Sequence, residues 1–596
     1  MLQKITQLLN DKRFVFIAIV LAVFLPYSNI FHNEFAYDDS DFFIDWNGIK
    51  SVNVGSFFSG ALPINHLHAY RPLRSVIQAI LYQVTSNQPF GYHIFSILVH
   101  LMSTLLVYFI VKKITHPHAA FASALIFAVL PVHVQSITFI TASFDSIGVA
   151  FLLLSFYLYQ KYQDTKKVNT LYASFIMAFA AYYTYELAIV LPLLIILYDL
   201  CIKNFGKKQL LAQIKYYAVF FIGSISLLFI KFFVIGPMYK RPMLTSIDFW
   251  SRMFTAAKAF VQYVYLVVVD YPLSIYYDIR ISHALDGTVF ASSLLILACI
   301  VFGVYAFLKN KKIYTFIIFW FIISLLPVSN IIQIASFASD NYVYLASVAW
   351  AILAGIIFLK MYDYPGRRGK GMQMASVIFL LIVTLTYGYG TWARNRVWSN
   401  NEALWTTTLG QHPKYMKSYS NLSDYYMHKK MYAKAEEYAK KALEINPGYA
   451  LAYENLGIIQ MEQKKYDDAV GYFQKAIDIN PDYAPSYHNL GFSYQELGKI
   501  GEAEKNYKKA IEILPSYFQS HKNLAVLYLS QERFRDALDE FARAESLDEG
   551  DYEIYFGLGM SYSGFGDIES AKKYYQKTIE MNPDFTPARE MLEKLK

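Results

Sequence analysis

Long apolar runs recur through the first two thirds of the chain, and charged residues become dense only after about residue 392. A helix that crosses a bilayer needs about 20 apolar residues. The runs predict eleven spans, near residues 14–31, 91–111, 119–133, 142–160, 169–184, 187–202, 213–235, 288–308, 313–328, 342–361 and 373–391. One further apolar stretch, 254–270, is interpreted as a re-entrant or surface helix. The first span lacks the small-residue cleavage site of a signal peptide, so we expect it to be retained.

Basic clusters between the spans indicate the orientation. They lie at Lys12–Arg13, Lys112–Lys113, Lys161–Lys167, Lys203–Lys208, Lys309–Lys312 and Arg367–Lys370. With eleven spans, all of these clusters fall on the same side, which the positive-inside rule makes the cytoplasmic side. The N-terminus is then cytoplasmic. The first loop and the whole C-terminal region are expected in the periplasm or, in a eukaryote, in a lumen.

From residue 413 onward the chain repeats with a period of 34. Leucine recurs at one position of each unit and alanine at another, namely at Leu422, Leu456, Leu490, Leu524 and Leu558, and at Ala435, Ala469, Ala503, Ala537 and Ala571. This pattern predicts five tetratricopeptide repeats over 416–585 and a capping helix over 586–596. The predicted fold class is all-α: a polytopic membrane domain over 1–392, a linker over 393–415 and an α-solenoid.

An asparagine precedes the core leucine in four of the repeats, at Asn421, Asn455, Asn489 and Asn523. A carboxamide both donates and accepts hydrogen bonds, so it can bond an extended backbone without reading its side chains. Two interpretations stay open. The amides cap or bridge neighbouring repeats, or they grip an extended peptide on the concave surface. The second arrangement resembles the asparagine ladder of O-linked N-acetylglucosamine transferase.

Composition narrows the function classes. Charged residues make up 17% of the chain, against about 25% in soluble domains. The net charge is +8, but the basic residues cluster at helix ends, where membrane topology explains them, so no nucleic-acid partner is expected. Two cysteines imply neither a disulfide framework nor a metal cluster. The sequence has no phosphate-cradling glycine loop, so it gives no sign of nucleotide hydrolysis.

The first outer loop carries an acidic pair, Asp38 and Asp39, directly after the first span. Adjacent carboxylates raise each other's pKa, and a carboxylate with a raised pKa can act as a general base. The alternative is a solvated loop or a helix cap. Because the pair directly follows a span, a lipid-linked substrate would be within its reach. Asp38 and Asp39 are therefore the candidate catalytic residues.

Further polar residues stand near the predicted outer ends of the spans. The candidate substrate-binding residues are Arg71, His93, His133, Asp145, Glu186, Lys231, Asp340 and Tyr342. Singly, each is more often a structural hydrogen-bonding or snorkelling residue. Together they place acids, bases and cations on one side of the bilayer, which suits a phosphate headgroup and an acceptor hydroxyl. The histidines lack zinc spacing, so no metal or other cofactor is predicted, and a divalent cation has no support.

The order of these elements resembles the transmembrane and tetratricopeptide-repeat O-mannosyltransferases, which belong to the C-type glycosyltransferase superfamily. The segments that carry the resemblance are Asp38-Asp39, Tyr70-Arg71-Pro72-Leu73, His93 to His100, Pro131-Val132-His133 with Asp145, Glu186 to Asp199, Tyr271-Pro272-Leu273-Ser274, Leu326 to Asn330, Asp340 to Ser347, and Trp398. The resemblance implies transfer of a mannose-like sugar from a polyprenyl phosphate to Ser or Thr hydroxyls of exported proteins. It also implies a catalytic or acceptor-activating role for Asp38 and Asp39.

The chain departs from the family pattern at several cations. Ser339-Asp340-Asn341 stands where the family usually has Ala-Glu-Arg, and Tyr185-Glu186 stands where it has a Lys-Glu pair. These departures are typical of a divergent, prokaryotic member. The remaining candidates to bind the donor phosphate are Arg71, Lys231, Lys240 and Arg241.

Three other functions are compatible with the sequence. The first is a non-enzymatic membrane scaffold whose repeats recruit periplasmic proteins, for which the acidic pair would be dispensable. The second is a transporter of lipid-linked sugars, which would need polar residues at mid-bilayer depth rather than near the outer ends. The third is a transferase that acts on a glycan, and the asparagine column argues mildly against it.

Overall fold

A computed structural model gives the structure of residues 2–37, 39, 70–230, 233, 247–269, 273–277, 279–330, 337–365 and 369–595. Their regular elements are all helical, and the described residues contain no strand. They divide into two compact units, with the boundary between Asn400 and Asn401. We call these the membrane unit and the repeat unit. The all-α fold class is confirmed.

Fifteen helices of the membrane unit lie in the described residues. They are α1 (Leu2–Asn10), α2 (Lys12–Phe24), α3 (Pro72–Thr85), α4 (Pro89–Ile114), α5 (Pro117–Val129), α6 (Val134–Thr138), α7 (Ile140–Thr165), α8 (Val168–Thr184), α9 (Leu191–Cys201), α10 (Lys207–Phe229), α11 (Phe249–Val268), α12 (Gly287–Leu308), α13 (Lys312–Leu325), α14 (Ser347–Tyr362) and α15 (Gly369–Asn395). A helix occupies part of every predicted span. Proline begins α3, α4 and α5, as its fixed φ favours.

Length and apolarity mark out the helices able to cross a membrane. In the described residues these are α4, α7, α10, α12 and α15, with α5 and the turn and helix after it as a sixth if the 52° bend between them lies within one span. Helices α13 and α14 are apolar but shorter. The protein is thus a membrane protein, and the count of eleven spans stays a prediction. Helix α11 is not among those long and apolar enough, and its expected re-entrant or surface position also stays a prediction.

Several helices end early because proline interrupts them. Helix α2 ends just before Pro26, and 3-10 turns containing Pro131 and Pro327 follow α5 and α13. Proline cannot continue a helix without losing a hydrogen bond to the preceding turn. Further 3-10 turns cover Glu186–Val190 and Asp340–Val343. Predicted site residues therefore lie on turns between helices.

The repeat unit contains five helix pairs. They are α17 (Met416–His428) with α18 (Tyr432–Ile445), α19 (Ala450–Glu462) with α20 (Tyr466–Ile479), α21 (Ala484–Glu496) with α22 (Ile500–Ile513), α23 (Phe518–Ser530) with α24 (Phe534–Leu547), and α25 (Tyr552–Phe565) with α26 (Ile568–Met581). The helix α16 (Asn401–Gln411) precedes them, within the expected linker, and α27 (Thr586–Lys594) follows them.

Small residues allow the two helices of a repeat to approach. A Cβ on Gly457 would lie 2.5 Å from the buried ring of Phe473, and one on Gly559 would lie 2.6 Å from Tyr575. The alanine column is fully buried in all five repeats. The predicted packing of the repeats is confirmed.

Candidate functional site

Charged side chains from three separate segments meet in the membrane unit. Arg71, at the start of α3, places Nη1 2.6 Å from Oδ1 of Asp145 on α7. Its Nε lies 2.5 Å from Oε2 of Glu186, the first residue of the turn before α9. Arg74, one helical turn after Arg71, places Nη1 2.7 Å from the same Asp145 oxygen. The two arginines thus clamp one carboxylate between them.

Asp39 joins this group through the start of α7. Its Oδ1 accepts hydrogen bonds from the backbone N–H (2.7 Å) and the hydroxyl (2.6 Å) of Thr141, the second residue of α7. Its Oδ2 accepts from the N–H of Ala36 at 3.2 Å. A carboxylate at a helix N-terminus is stabilised by the unpaired N–H groups and the helix dipole. Asp39 is 1% exposed and caps α7 from another segment.

Thr141 completes a continuous path of hydrogen bonds and ion pairs. Its carbonyl accepts from Nη2 of Arg74 at 2.9 Å. The path runs through Asp39, Thr141, Arg74, Asp145, Arg71 and Glu186, and we call these six residues the polar network. Arg71 and Glu186 are its more exposed ionic members, with 17% and 23% of their side chains accessible, whereas Arg74 and Asp145 have 9%.

Two neighbouring features hold the network in place. Gly148 lies on α7 one turn after Asp145, and a Cβ there would be 2.4 Å from Cβ of Tyr185. Glycine therefore lets α7 approach the backbone just before Glu186. The Tyr185 ring packs against the guanidinium of Arg71, 5.1 Å from its centroid. Cation–π contact of this kind orients the arginine as well as stabilising it.

A second group of polar residues surrounds Asp340. Tyr277 donates its hydroxyl to Oδ1 of Asp340, and Nη2 of Arg394 on α15 lies 3.5 Å from Oδ2. The backbone N–H of Asp340 donates to Oε1 of Gln135 at 3.1 Å. We call these four residues the Asp340 cluster. Burial raises the pKa of Asp340 to about 6, against the opposing effects of Arg394 and Tyr277.

The segment after Asp340 connects the cluster to the network. The side chain of Asn341 lies within interaction range of Asp145, and the half-buried phenol of Tyr342 lies within electrostatic range of Glu186, Arg71 and Asp145. The predicted residues Asp39, Arg71, Asp145, Glu186, Asp340 and Tyr342 therefore come together. Asp38, Lys231, Lys240 and Arg241 lie outside the described residues.

The predicted histidines lie in a different environment. His100 bonds the Tyr344 hydroxyl (2.8 Å) and the Ala128 carbonyl (3.0 Å), and Nε2 of His133 lies 2.8 Å from the Ser347 hydroxyl. The rings of His100 and His133 pack 5.5 Å apart. His93 is fully buried in α4. In the described part of the chain, no three His, Cys, Asp or Glu side chains are arranged to hold a metal ion.

Two arginines were absent from the sequence-based candidates. Arg74 had a usable signal, because residues three apart lie on the same helical face and Arg71 was already a candidate. Arg394 is far from Asp340 in the sequence, and no local pattern links them. With Arg74 included, the polar network has two guanidinium groups and three carboxylates.

The asparagine column makes hydrogen bonds within the repeat unit. Nδ2 of Asn455 donates to the Ser420 carbonyl of the preceding repeat at 2.9 Å, and Nδ2 of Asn489 donates to Oε1 of Glu454 at 2.7 Å. Asn421 instead bonds the Lys417 carbonyl of its own helix at 2.7 Å. Asn523 lies within interaction range of Tyr507. At least two of the four amides thus bridge neighbouring repeats, and peptide binding by the column stays a prediction.

Comparison with known families matches both units. The family described as dolichyl-phosphate-mannose-protein mannosyltransferase matches residues 68–231, which include Arg71, Arg74, Asp145 and Glu186. Tetratricopeptide-repeat families match 417–482, 448–516, 482–550 and 552–585.

Individual relatives agree with these matches. Protein O-mannosyl-transferase F38B6.6 of Caenorhabditis elegans is 24% identical over 419 residues, which cover 67% of this chain and 58% of the nematode protein. The human protein O-mannosyl-transferase TMTC1 is 25% identical over 165 residues, covering 26% of this chain and 19% of the human one. This chain therefore matches less than two thirds of either relative.

Among solved structures, YrrB, titled a TPR protein with an unusual peptide-binding site, is 20% identical and covers 32% of this chain and 97% of its own, with a TM-score of 0.28. The family matches and the curated relatives together show that the chain is homologous to the protein O-mannosyl-transferases F38B6.6 and TMTC1, with a region similar to the mannosyltransferase family followed by tetratricopeptide repeats.

Proposed function

We propose that this protein transfers a mannose-like sugar from a polyprenyl phosphate to Ser or Thr hydroxyls of exported proteins. One observation carries the proposal. Within the region similar to the mannosyltransferase family, acids and arginines from distant segments form one connected polar network among apolar helices. Ionisable groups are costly in such surroundings and typically mark substrate pathways.

In the proposed reaction, a carboxylate takes the proton of the acceptor hydroxyl. The hydroxyl oxygen then attacks the anomeric carbon of the sugar from the face opposite the phosphate. The bond between this carbon and the phosphate oxygen breaks, and polyprenyl phosphate leaves with the electron pair. The configuration at the anomeric carbon is thereby inverted. A positioned base accelerates such a step by about 10² to 10⁴.

We assign the proton transfer to Asp38 and an anchoring role to Asp39. Both oxygens of Asp39 already accept hydrogen bonds, and the residue is nearly inaccessible. Asp38 is the adjacent carboxylate in the chain. Asp39 itself is held at the start of α7, beside Arg74 and Asp145.

The leaving phosphate gains negative charge and needs cations. Arg71 is the more accessible of the two network arginines, but it is paired with Asp145 and Glu186, so a phosphate would have to compete with them. Lys231, Lys240 and Arg241 are the other candidates from the sequence. We place the reaction on the outer face of the membrane. The positive-inside rule puts the basic clusters on the cytoplasmic side and therefore predicts the repeats on the outer side as well. The repeats would hold the acceptor and raise its effective concentration.

The test is sugar transfer in membranes that contain the full-length protein, a radiolabelled polyprenyl-phosphate mannose and proteins exported by the host. Asp38→Asn is expected to lower the rate at least about 100-fold. Asp164→Asn is the matched control, because Asp164 lies on the same helix as Asp145 but pairs with Lys113 and Lys203. A normal rate for the double variant Asp38→Asn, Asp39→Asn would refute the assignment.

A membrane-anchored scaffold is the second candidate function. The observation that favours it is the charge balance of the polar network, in which both arginines are already paired with carboxylates. A scaffold predicts unchanged glycoproteins in a host that lacks the protein, together with loss of partner proteins bound by the repeats. Intact-mass glycoproteomics of the host with and without the protein distinguishes the two functions.

A further inference from the structure

Arg394 and Asp340 form a buried pair between two distant segments of the membrane unit. Only 9% of the Arg394 side chain and 1% of the Asp340 side chain are accessible. The guanidinium donates from Nη1 to the Leu273 carbonyl at 2.6 Å, and Nη2 faces Oδ2 of Asp340 at 3.5 Å. A charge buried this deeply requires an opposite charge or hydrogen bonds. Each residue of the pair therefore constrains the position of the other.

The end of α15 provides a fixed base for Arg394. Thr391 donates its hydroxyl to the Val129 carbonyl at 2.8 Å. Asn395 donates to the Pro26 carbonyl at 2.9 Å and accepts from the Thr138 hydroxyl at 2.7 Å. These bonds flank Arg394 in sequence and tie α15 to the ends of α2, α5 and α6. The guanidinium is thus presented from a rigid part of the bundle.

Asp340, in contrast, belongs to the short turn Asp340–Val343. Gln135 accepts hydrogen bonds from the Asp340 N–H and, at 3.2 Å, from the Ser339 hydroxyl. The next two residues face the polar network, since Asn341 lies within interaction range of Asp145, and Tyr342 within electrostatic range of Arg71 and Glu186. A displacement of Asp340 would move both of these side chains relative to the two arginines.

We infer that Arg394 is a positioning residue, which acts through Asp340 to hold Asn341 and Tyr342 against the polar network. The role in catalysis rests on the proposed function, whereas the positional role does not. Arg394 need not touch the substrate. The segment Ser339-Asp340-Asn341 contains no arginine of its own, and Arg394 places a guanidinium beside it from α15.

The positional role is tested by thiol labelling of the full-length protein. Cys201 and Cys299 are the only cysteines, so Cys201→Ala, Cys299→Ala gives a background in which Tyr342→Cys is the only thiol. Arg394→Gln is expected to raise the labelling rate of this cysteine by a maleimide about fivefold or more. The control is Arg396→Gln, because Arg396 is exposed and stacks on Trp392 two residues from Arg394. The control should change the rate less than about twofold.

Two further variants separate positioning from general loss of structure. Arg394→Lys keeps the positive charge, so the reporter cysteine should react with the maleimide more slowly in this variant than in Arg394→Gln. The double variant Asp340→Asn, Arg394→Gln removes both charges and should label more slowly than Arg394→Gln alone, because no buried charge is left uncompensated. Equal labelling of the Arg394→Gln and Arg396→Gln proteins, both folded, overturns the inference. If Arg394→Gln does not fold, equal labelling of Arg394→Lys and the unsubstituted background overturns it.

The catalytic consequence is measured in the sugar-transfer assay, without the reporter cysteine. Arg394→Gln is expected to lower kcat about tenfold or more while the KM for the acceptor changes by less than about threefold. Arg396→Gln should leave both unchanged. If the unsubstituted protein transfers no sugar, the proposed function fails while the labelling result still decides the positional role. If it is active and kcat is the same in both variants, the role of Arg394 in catalysis is refuted.

Discussion

The repeat unit and the polar network of the membrane unit differ in where their contacting residues come from. In the repeat unit, first helices begin at Met416, Ala450, Ala484, Phe518 and Tyr552, at constant intervals, and each packs on elements adjacent in the chain. In the polar network, Asp39, Arg71, Asp145 and Glu186 come from four segments far apart in sequence. Local periodicity therefore specifies the first, whereas only the folded bundle creates the second.

This difference determines how each region should respond to substitution. A repeat contacts mainly its neighbours, so a defect there stays local and its cost reflects packing. The polar network buries charges that depend on one another, so the loss of one member leaves the others uncompensated. Substitutions in the two regions should therefore differ in their cost to stability.

Asp145→Ala should have the largest effect. It leaves Arg71 and Arg74 without their shared partner in a buried site. Loss of one member of a buried ion pair typically costs about 3 to 5 kcal/mol. The measurement is the thermal unfolding of the purified protein in detergent. Asp164→Ala on the same helix is the control, since Asp164 is 38% exposed and should cost less than about 1 kcal/mol. Equal losses would show that burial does not distinguish the two pairs.

Gly457→Ala should cost less, about 1 to 3 kcal/mol, because the added methyl group overpacks a filled core. Its Cβ would lie 2.5 Å from the Phe473 ring, which is fully buried and cannot swing aside. Gly471→Ala is the matched control, because beyond its own stretch of helix nothing lies within 4 Å of a Cβ placed there, and alanine favours the helix. Hydrogen exchange of α19 and α20 in the full-length protein should increase for the first variant and not for the second.

The same contrast explains what could be predicted from sequence. The period of 34 identified the leucine and alanine positions because each repeat uses the same packing arrangement. Asp39, Arg71, Asp145 and Glu186 were recognisable as ionisable residues near helix ends, but their partners were not. His133 was also recognisable as an ionisable residue near a helix end, but it packs against His100 and Tyr344.

Arg394 could not be predicted as a site residue, because only the fold brings it next to its partner Asp340.

The acidic pair illustrates a related difficulty. The sequence treats Asp38 and Asp39 alike, whereas the hydrogen bonds from Thr141 and Ala36 distinguish Asp39 as a helix cap.

Asn455→Ala tests a hydrogen bond between two neighbouring repeats. The substitution leaves the Ser420 carbonyl without its bond from the next repeat, and one such hydrogen bond contributes about 1 kcal/mol. Asn421→Ala removes a bond within one helix and should cost less than about 0.5 kcal/mol. Thermal unfolding measures both costs. If the asparagine column also binds a peptide, the two variants should lose affinity for the acceptor to the same extent. If the affinity for the acceptor instead falls only in proportion to the loss of stability, the column is structural.

Glu454→Gln should change the stability least of these substitutions, and the change should depend on pH. Glu454 is 4% exposed and accepts hydrogen bonds from Ser486 and Asn489, and burial raises the pKa of its carboxyl. The folded repeats therefore hold this proton more tightly than the unfolded chain, so stability falls as pH rises from the ordinary pKa of 4.5 through the raised one. Glutamine keeps an acceptor for Asn489 but cannot ionise.

The Glu454→Gln protein should thus be more stable than the unsubstituted protein at neutral pH, by less than about 1 kcal/mol, and the difference should vanish in acid. Hydrogen exchange of α19 and α21, compared between the two proteins at each pH, measures it. Glu462→Gln, at the exposed end of α19, is the control and should show no such dependence. A buried carboxyl would then act within one inter-repeat contact, unlike Asp145, whose loss affects a network drawn from four distant segments of the membrane unit. A Glu454→Gln protein that is less stable at neutral pH would show that the ionised carboxylate stabilises the contact.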